Sequence, residues 1–390
     1  MPRARAPSVR RGWLITPVGK TGTPDAAPPK EGAVDRPSAT TTESNNMTGE
    51  HNASAPARVD FHHHILPSRN LLAEFGIGSL VAGTGWTLPS GAAEWTPQVS
   101  LNFMDNLGIQ TAILSLPNDP EHPLPTSERR RFARAINTAA RQAVDDHPGR
   151  FGFFAHLPTP TDVDAALDEL VYAMDELSAD GVTLTNVYGT GDQAHSLGDD
   201  VFEPLWAELD RRGTLVFLHG EQTPGRNRLA NPFLPTPVSE VPNETYKGAA
   251  DLVTSGRKRQ YPNARIILSH SGGSTPFLAA RVAVLSNYLG CELSPEEIIA
   301  DFRTFYFETA LSGFDTNLTA LENFVSSEQI LFGTDFPAVS PDMARWYTTN
   351  VDTYFESRPE LHAQVLHANA HTLIPRLAGG VAGWGLIAQR

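Results

Sequence analysis

The chain has 390 residues, 40% of them hydrophobic, and a formal net charge of −14 at pH 7. This size and apolar content are sufficient for the large core of an ordinary soluble enzyme. The negative balance disfavours nucleic acid and anionic membranes as partners, and no apolar run is long enough to span a bilayer. The single cysteine, Cys291, excludes both a disulfide framework and a cysteine-ligated metal cluster.

The first 57 residues predict a disordered arm. They are rich in Pro, Ser, Thr and Ala and contain one aromatic residue, Trp13, so they cannot form a core. Arg10 and Arg11 faintly resemble a twin-arginine export signal, but the apolar run that follows them is too short. We therefore expect a cytoplasmic protein, and Met47 is an alternative start of the chain.

The run from Val59 to Pro67, Val-Asp-Phe-His-His-His-Ile-Leu-Pro, predicts a first strand that carries half of a metal site. Residues two apart on a strand point the same way, so His62 and His64 share a face and His63 takes the other. Two imidazoles on one face at the end of an apolar strand suit a divalent ion. A short natural histidine run, or a pair of core histidines, is the simpler alternative.

Three later apolar runs also end in a residue that can ligate a metal. Residues 214–219 end in His219, residues 264–270 end in His270, and residues 330–335 end in Asp335. Short apolar runs bounded by Gly and Pro are typical of strands buried on both faces of a parallel sheet. Four strands that each deliver His or Asp at the same end favour a shared site over isolated structural residues.

Eight such runs alternate with helical patterns such as the amphipathic stretch 162–178, which predicts an α/β fold, a (β/α)8 TIM barrel of the metal-dependent hydrolase type. The predicted strands are Val59–His64, Thr111–Leu116, Phe151–Leu157, Val182–Val187, Thr214–His219, Ala264–His270, Thr304–Thr309 and Ile330–Asp335. The rival is an open doubly wound sheet. The barrel is favoured because strands one and eight must meet at one metal. We place the barrel at residues 58–377, with a C-terminal tail at 378–390.

Taken in order, several stretches of the chain resemble the amidohydrolase-related family that contains aminocarboxymuconate semialdehyde decarboxylase and aromatic acid decarboxylases of the 6-methylsalicylate type. The matching stretches are Asp60–His64, Phe103–Ile109, Phe202–Trp206, Val216–His219, Ser269–Gly273 and Leu331–Pro337. The resemblance covers roughly Val59 to Leu377. It implies one divalent metal bound by His62, His64, His219 and Asp335, with His270 as the acid/base. It also implies a homodimer.

Three imidazoles and one carboxylate suit Zn²⁺, with Mn²⁺ as the replacement. The predicted fourth strand, in the stretch 181–186, has no lysine that could be carbamylated to bridge two metals, so we expect a single ion. His270 can deliver or accept a proton near neutral pH.

Two reactions are open to these five residues. One is non-oxidative decarboxylation of a small aromatic or unsaturated acid, in which His270 or Asp335 protonates the carbon that loses CO2. The other is hydrolysis of a lactone or amide, with the same residues as base. The resemblance favours the decarboxylase, and the hydrolase remains the alternative.

The resemblance has one departure that bears on the substrate. The position at which the semialdehyde decarboxylases carry an arginine that binds a substrate carboxylate corresponds here to Ser100. A monocarboxylic phenol of the salicylate type is therefore expected, rather than a dicarboxylate.

Two loops are expected to shape the pocket. The long Gly-rich loop Gly76–Trp95, with Trp86 and Trp95, could form a lid. The loop Glu221–Pro237 carries Arg226 and Arg228, which are candidate partners of a carboxylate, although an exposed surface loop is the simpler reading. Further candidates near strand ends are His156, Asn186, Tyr188, Glu308 and Phe336.

Overall fold

The computed structural model describes residues 57–89, 92–116, 124–222 and 230–379. Nearly all of the predicted N-terminal arm and most of the predicted C-terminal tail lie outside these residues, as do Arg226 and Arg228. Within the described residues, no helix combines the length and the apolarity needed to cross a membrane.

Eight parallel strands form the central sheet in chain order. They are β1 Arg58–His64, β2 Ile109–Ser115, β3 Phe151–His156, β4 Gly181–Thr185, β5 Leu215–His219, β6 Arg265–Leu268, β7 Tyr306–Glu308 and β8 Ile330–Leu331. A two-stranded antiparallel pair, Val187–Tyr188 with His195–Ser196, follows β4.

Backbone hydrogen bonds join β1 to the residues that directly follow β8. The amide of Phe61 donates to the carbonyl of Phe332 (3.0 Å), and the amide of Asp335 donates to the carbonyl of His62 (2.8 Å). A parallel bridge pairs His63 with Phe336. These contacts bring the two ends of the sheet together, as a (β/α)8 barrel requires, and the prediction of that fold is confirmed.

Helices surround the sheet, and the last of them packs Ala370 and Leu373 against inward-facing residues of the strands. The helices are α1 Arg69–Glu74, α2 Pro97–Leu107, α3 Thr126–Asp146, α4 Val163–Asp175, α5 Glu203–Arg212, α6 Thr236–Thr254, α7 Arg257–Gln260, α8 Thr275–Tyr288, α9 Pro295–Phe302, α10 Asp315–Phe324, α11 Pro341–Phe355, α12 Pro359–Ala363 and α13 Asn369–Leu373. Local signals set several ends. The Asp162 side chain caps α4, Ser294 and Glu297 form a capping box on α9, and Gly108 ends α2 in the left-handed conformation with φ 64°.

A β-bulge in β1 modifies the simple alternation of faces. Asp60 pairs with Ala112 and His63 pairs with Leu114, so Phe61 and His62 together oppose Ile113. The extra residue lets Phe61 pack with Phe154 in the barrel interior while the next residue, His62, reaches the site. Strict alternation would have placed Phe61 on the outer face.

Two of the predicted strand ends are loops in the structure. His270 begins a short 3-10 turn after β6 (φ 54°), and Asp335 lies four residues beyond β8 (φ 64°). A positive φ is uncommon for a residue other than glycine and is often found at functional sites. Both side chains still reach the carboxyl edge of the sheet, because their strands run parallel to the others.

Candidate metal centre and active site

The side chains of β1, β5 and the loops after β6 and β8 converge at the carboxyl end of the barrel. The Nε2 atoms of His62 and His64 lie 3.1 Å apart, and Oδ1 of Asp335 lies 2.8 Å from Nε2 of His64 and 3.3 Å from Nε2 of His62. His219 joins them, with its ring centre 5.2 Å from that of His62. Zinc–ligand bonds are about 2.0–2.2 Å, so ligands of one ion lie about 3 Å apart. The spacing fits a single divalent ion.

All four histidines of the site have their Nδ1 atoms next to an acceptor. The pairs are His62 with Oε1 of Glu308 (2.7 Å), His64 with the carbonyl of Ser115 (3.3 Å), His219 with the carbonyl of Gly220 (2.9 Å) and His270 with the carbonyl of Ala310 (3.2 Å). An Nδ1–H that donates outwards leaves the Nε2 lone pair for a metal or a proton. The tautomers that ligation needs are therefore built into the fold.

Glu308 orients the site from beneath it. Its side chain is fully buried, and it accepts hydrogen bonds from the amides of His270 (2.5 Å) and Ala310 (2.6 Å) as well as from His62. A Cβ at Gly333 would collide with this carboxylate, so glycine is needed there. His62, His270 and Glu308 could be read as a second metal-binding group. However, both Glu308 oxygens are occupied, and Glu308 bonds to Nδ1 of His62 rather than Nε2, which makes it an orienting group.

The electrostatics of the site favour a cation. Burial by itself lowers the pKa of His62, but the carboxylates of Glu308 and Asp335 outweigh it and raise the pKa to about 10. Burial would raise the pKa of Asp335, but His62 and His64 hold it well below its usual value. Burial, then the charge of His62, lowers the pKa of His219 and of His270. In the metal-free protein Asp335 is therefore ionised and His219 and His270 are neutral, whereas His62 must lose a proton before a divalent ion can bind its Nε2.

A second polar network lies behind β1, on its outer face. His63 points there as predicted, with Nδ1 3.0 Å from Asp60 and Nε2 2.7 Å from the hydroxyl of Ser100. Trp95 also donates to Ser100 (2.8 Å). Asp60 accepts from the amide (3.0 Å) and the hydroxyl (2.5 Å) of Thr334, the residue before Asp335. Ser100 and Trp95 therefore support the site from outside, and neither lines the pocket.

An apolar cavity of about 290 Å³ opens onto the metal centre. His64, His219, His270 and Asp335 form its polar end. The loop after α1, the predicted lid, lines the cavity with Leu80, Val81, Trp86 and Leu88. Trp86 donates to the carbonyl of Ala338 (3.0 Å), and the carbonyl of Thr84 accepts from the amide of Thr236 (2.9 Å). These two bonds fasten the lid to both sides of the cavity mouth.

The structure places three predicted substrate residues elsewhere, which corrects those expectations. Phe336 stacks on Phe103, with ring centres 3.9 Å apart, on the outer side of the barrel. The Asn186 amide is used within the protein, since it donates to Glu244 (2.9 Å) and accepts from the amide of Glu221 (2.9 Å).

His156 faces a small separate cavity that it shares with Tyr188 and does not line the large one. The hydroxyl of Tyr188 accepts from the amide of Thr185 (3.0 Å). Arg226, the other proposed contact, lies outside the described residues.

Several pocket residues carried no sequence signal. Leu311 and Ser312 follow β7, while Met343 and Tyr347 come from the first turns of α11. Apolar and hydroxyl side chains in loops and helices resemble ordinary core or surface residues, so only the tertiary structure places them in the cavity.

Comparisons with known proteins agree with this geometry. Residues 59–376 match the family model described as Amidohydrolase. The chain is 38% identical over 348 residues to a decarboxylase, yanB, of Aspergillus niger, which covers 84% of this chain and 92% of that protein. It is 38% identical over 329 residues to 6-methylsalicylic acid decarboxylase of Penicillium expansum, which covers 83% and 98%.

Among solved structures, a dihydroxybenzoic acid decarboxylase from a Polaromonas species, with bound manganese and the inhibitor 2-nitroresorcinol, has the same fold. Its TM-score is 0.67 at 22% identity, over 82% of this chain and 97% of that chain. The family match over most of the chain and the two relatives at 38% identity give one conclusion: the chain belongs to the amidohydrolase family.

Proposed function

We propose that the chain is a metal-dependent, non-oxidative decarboxylase of a salicylate-type acid. The predicted enzyme class is a carboxy-lyase acting on aromatic acids: both relatives are named as decarboxylases, and one of them is named for an aromatic acid. The observation that carries the proposal is a cavity that has a metal-binding end and apolar walls. Ligand histidines with preset tautomers and an acid/base candidate, His270, form one end of a cavity whose other walls are mainly apolar.

One divalent ion is proposed, held by His62, His64, His219 and Asp335. Zinc is the first candidate for three imidazoles and a carboxylate, and manganese is the second because a relative of the same fold holds it. When bound, the ion would supply an electrophile for the carboxylate and phenol oxygens of the substrate. Asp335 and Glu308 supply the negative charge that offsets it.

His270 is proposed to move the proton. Its Nδ1 faces the carbonyl of Ala310 and its ring lines the cavity, so Nε2 is the titrating atom on the substrate side. Because its pKa is lowered by burial and then by His62, Nε2 first acts as an acceptor for the phenol proton. It then delivers that proton to the ring carbon that bears the carboxylate. The C–C bond breaks, its electron pair returns to the ring, CO2 leaves, and the phenolate oxygen of the product takes a proton from solvent.

Asp335 is the second proton-carrying candidate, because it also lines the cavity. Its Oδ1 already contacts His64 and His62, which favours a role as ligand over one as donor. Substitution of His270 separates the two possibilities.

A monocarboxylic substrate is proposed from the cavity walls. Among the described lining residues there is no Lys or Arg, so a second carboxylate has no cationic partner there. The polar end must bind both the carboxylate and the adjacent hydroxyl. On the strength of the relative's name, 6-methylsalicylate is the first compound to test. Arg226 remains a proposal from the sequence alone.

A homodimer is proposed as the assembly. The outer face of α8 exposes apolar side chains in a helical stripe, with Phe277 and Val284 each 58% exposed and Tyr288 85% exposed. Monomeric proteins rarely leave large contiguous apolar surface uncovered. Light scattering after gel filtration should give twice the mass of one chain, and Val284→Asp should shift it towards the monomer.

The reaction is tested by supplying 6-methylsalicylate and salicylate to the metal-loaded enzyme in deuterated water. A decarboxylase releases CO2 and places one deuterium on the carbon that lost it, because the exchangeable phenol proton equilibrates with solvent. Absence of CO2 from any aromatic acid, together with opening of lactones or cleavage of amides, would establish the alternative hydrolase.

A further inference from the structure

The cavity is larger than a bare hydroxybenzoate needs. A water-sized atom needs about 10–15 Å³ of such volume. A salicylate has about ten non-hydrogen atoms and would therefore fill roughly 100–150 Å³. The cavity volume of about 290 Å³ therefore leaves room beyond the ring for additional atoms.

The walls of this additional space are apolar. The lid contributes Leu80, Val81 and Leu88, and α6 contributes Val238 and Val241. Apart from the polar end, the described lining residues with polar side-chain groups are Gln222, Ser312, Tyr347 and Trp86, and the indole N–H of Trp86 already donates to Ala338. A charged or strongly polar ring substituent would lose its hydration against these walls, with few groups to replace it. An alkyl group would gain from leaving water.

The space is bounded by fixed elements. Trp86 is tied to Ala338, and the loop around Thr84 is tied to Thr236, so the lid residues stand at defined positions over the cavity. Val241 is 1% exposed and Val339 is 3% exposed, so the inner walls are packed core. A pocket with rigid apolar walls discriminates substituents by size.

From these observations we infer that the preferred substrates are 2-hydroxybenzoates whose ring carries an alkyl group longer than methyl, bound against the lid. The inference rests on the proposed decarboxylase and deepens it by naming the substrate class. The carboxylate and hydroxyl lie at the polar end, and the alkyl group extends towards Val81 and Leu88.

The test is a series of substrates: salicylate and its 6-methyl, 6-ethyl and 6-propyl derivatives, with 2,6-dihydroxybenzoate as the polar match for the methyl compound. Each buried methylene should raise kcat/KM about fourfold, since its transfer from water contributes about 0.8 kcal/mol. The propyl compound should therefore exceed salicylate at least tenfold. The dihydroxy compound should fall below the methyl compound, from which it differs by a hydroxyl in place of a methyl.

Variants locate the effect. Val81→Trp fills the space beneath the lid and should lower the ratio of kcat/KM for the propyl compound to that for salicylate about tenfold. The matched control is Val171→Trp on α4, a surface residue that is 40% exposed and lies away from the cavity, which should leave this ratio unchanged.

The outcomes are separable. If salicylate is decarboxylated but kcat/KM falls steadily from methyl to propyl, or 2,6-dihydroxybenzoate is preferred, the inference is wrong and the proposed function stands. If no member of the series releases CO2 from metal-loaded enzyme, the proposed function itself fails.

Discussion

Oε1 of Glu308 lies 2.7 Å from Nδ1 of His62, and this contact turns the other nitrogen of His62 towards His64 and Asp335. Because the same carboxylate accepts from the backbone amide of His270, one buried side chain sets the position of both a ligand and the acid/base candidate.

Replacement of Glu308 should therefore weaken metal binding although Glu308 is not a ligand. Glu308→Gln keeps the shape but removes the negative charge, and loss of such a partner costs about 10–100-fold in metal affinity. Competition with a chelator measures it. Glu292→Gln, at an exposed position, is the control and should bind metal normally. Unaltered affinity in Glu308→Gln would show that the contact is structural only.

The ligand set predicts about one divalent ion per chain. His64→Ala or His219→Ala should remove most of the bound metal, because each substitution leaves only three of the four ligands. Elemental analysis of the purified variants is the measurement, and His195→Ala on the surface is the matched control. Two tightly bound ions in the wild-type protein would contradict the single site.

His270→Ala should retain the metal and lose turnover by on the order of 10²-fold or more, because it removes the proton carrier without removing a ligand. Metal content and kcat are measured on the same preparation. Loss of metal as severe as in His219→Ala would make His270 a ligand instead.

Metal binding should release about one proton per ion near pH 7. In the metal-free protein His62 has a pKa of about 10, held up by Glu308 and Asp335 against burial, and an ion at Nε2 must displace that proton. Calorimetry in two buffers of different ionisation enthalpy gives the number of protons, and this number should fall as the pH is raised towards 10.

The same proton makes the metal-free protein sensitive to alkali. The folded pKa of His62 lies above its unfolded value of about 6.5, so its stabilising contribution is complete below that pH. This stabilising contribution of His62 is lost as the pH rises from about 6.5 to about 10. The Tm of the metal-free protein should fall over this window, and a Tm that rises there would contradict the assignment.

The network behind β1 should matter for the stability of the fold. Asp60→Asn disturbs the contacts to His63 and to Thr334 and should reduce the free energy of unfolding by about 2–4 kcal/mol. Ser100→Ala, which leaves those to Thr334 intact, should cost less. Denaturant titration of the metal-loaded proteins compares them. Equal losses would mean that Thr334 contributes little.

The sequence by itself determined the barrel and the convergence of His62, His64, His219, His270 and Asp335. These predictions depend on local rules, namely the alternation of faces along a strand and the shared direction of parallel strands. They hold even where the strand ends early, because His270 and Asp335 keep their place at the carboxyl edge of the sheet. The bulge that lets both Phe61 and His62 face inwards could not be predicted from these rules, because it interrupts the alternation of faces.

Only the tertiary structure decided where the loop side chains point. Phe336 directly follows Asp335 in the chain, but its ring stacks on Phe103 outside the barrel. The side-chain amide of Asn186 forms hydrogen bonds with Glu244 and with the backbone of Glu221. Glu308 was one candidate among several in the sequence, and its partner is 246 positions away in the chain. A loop residue takes its direction from distant packing partners rather than from its neighbours in sequence, so local pattern carries no information about it.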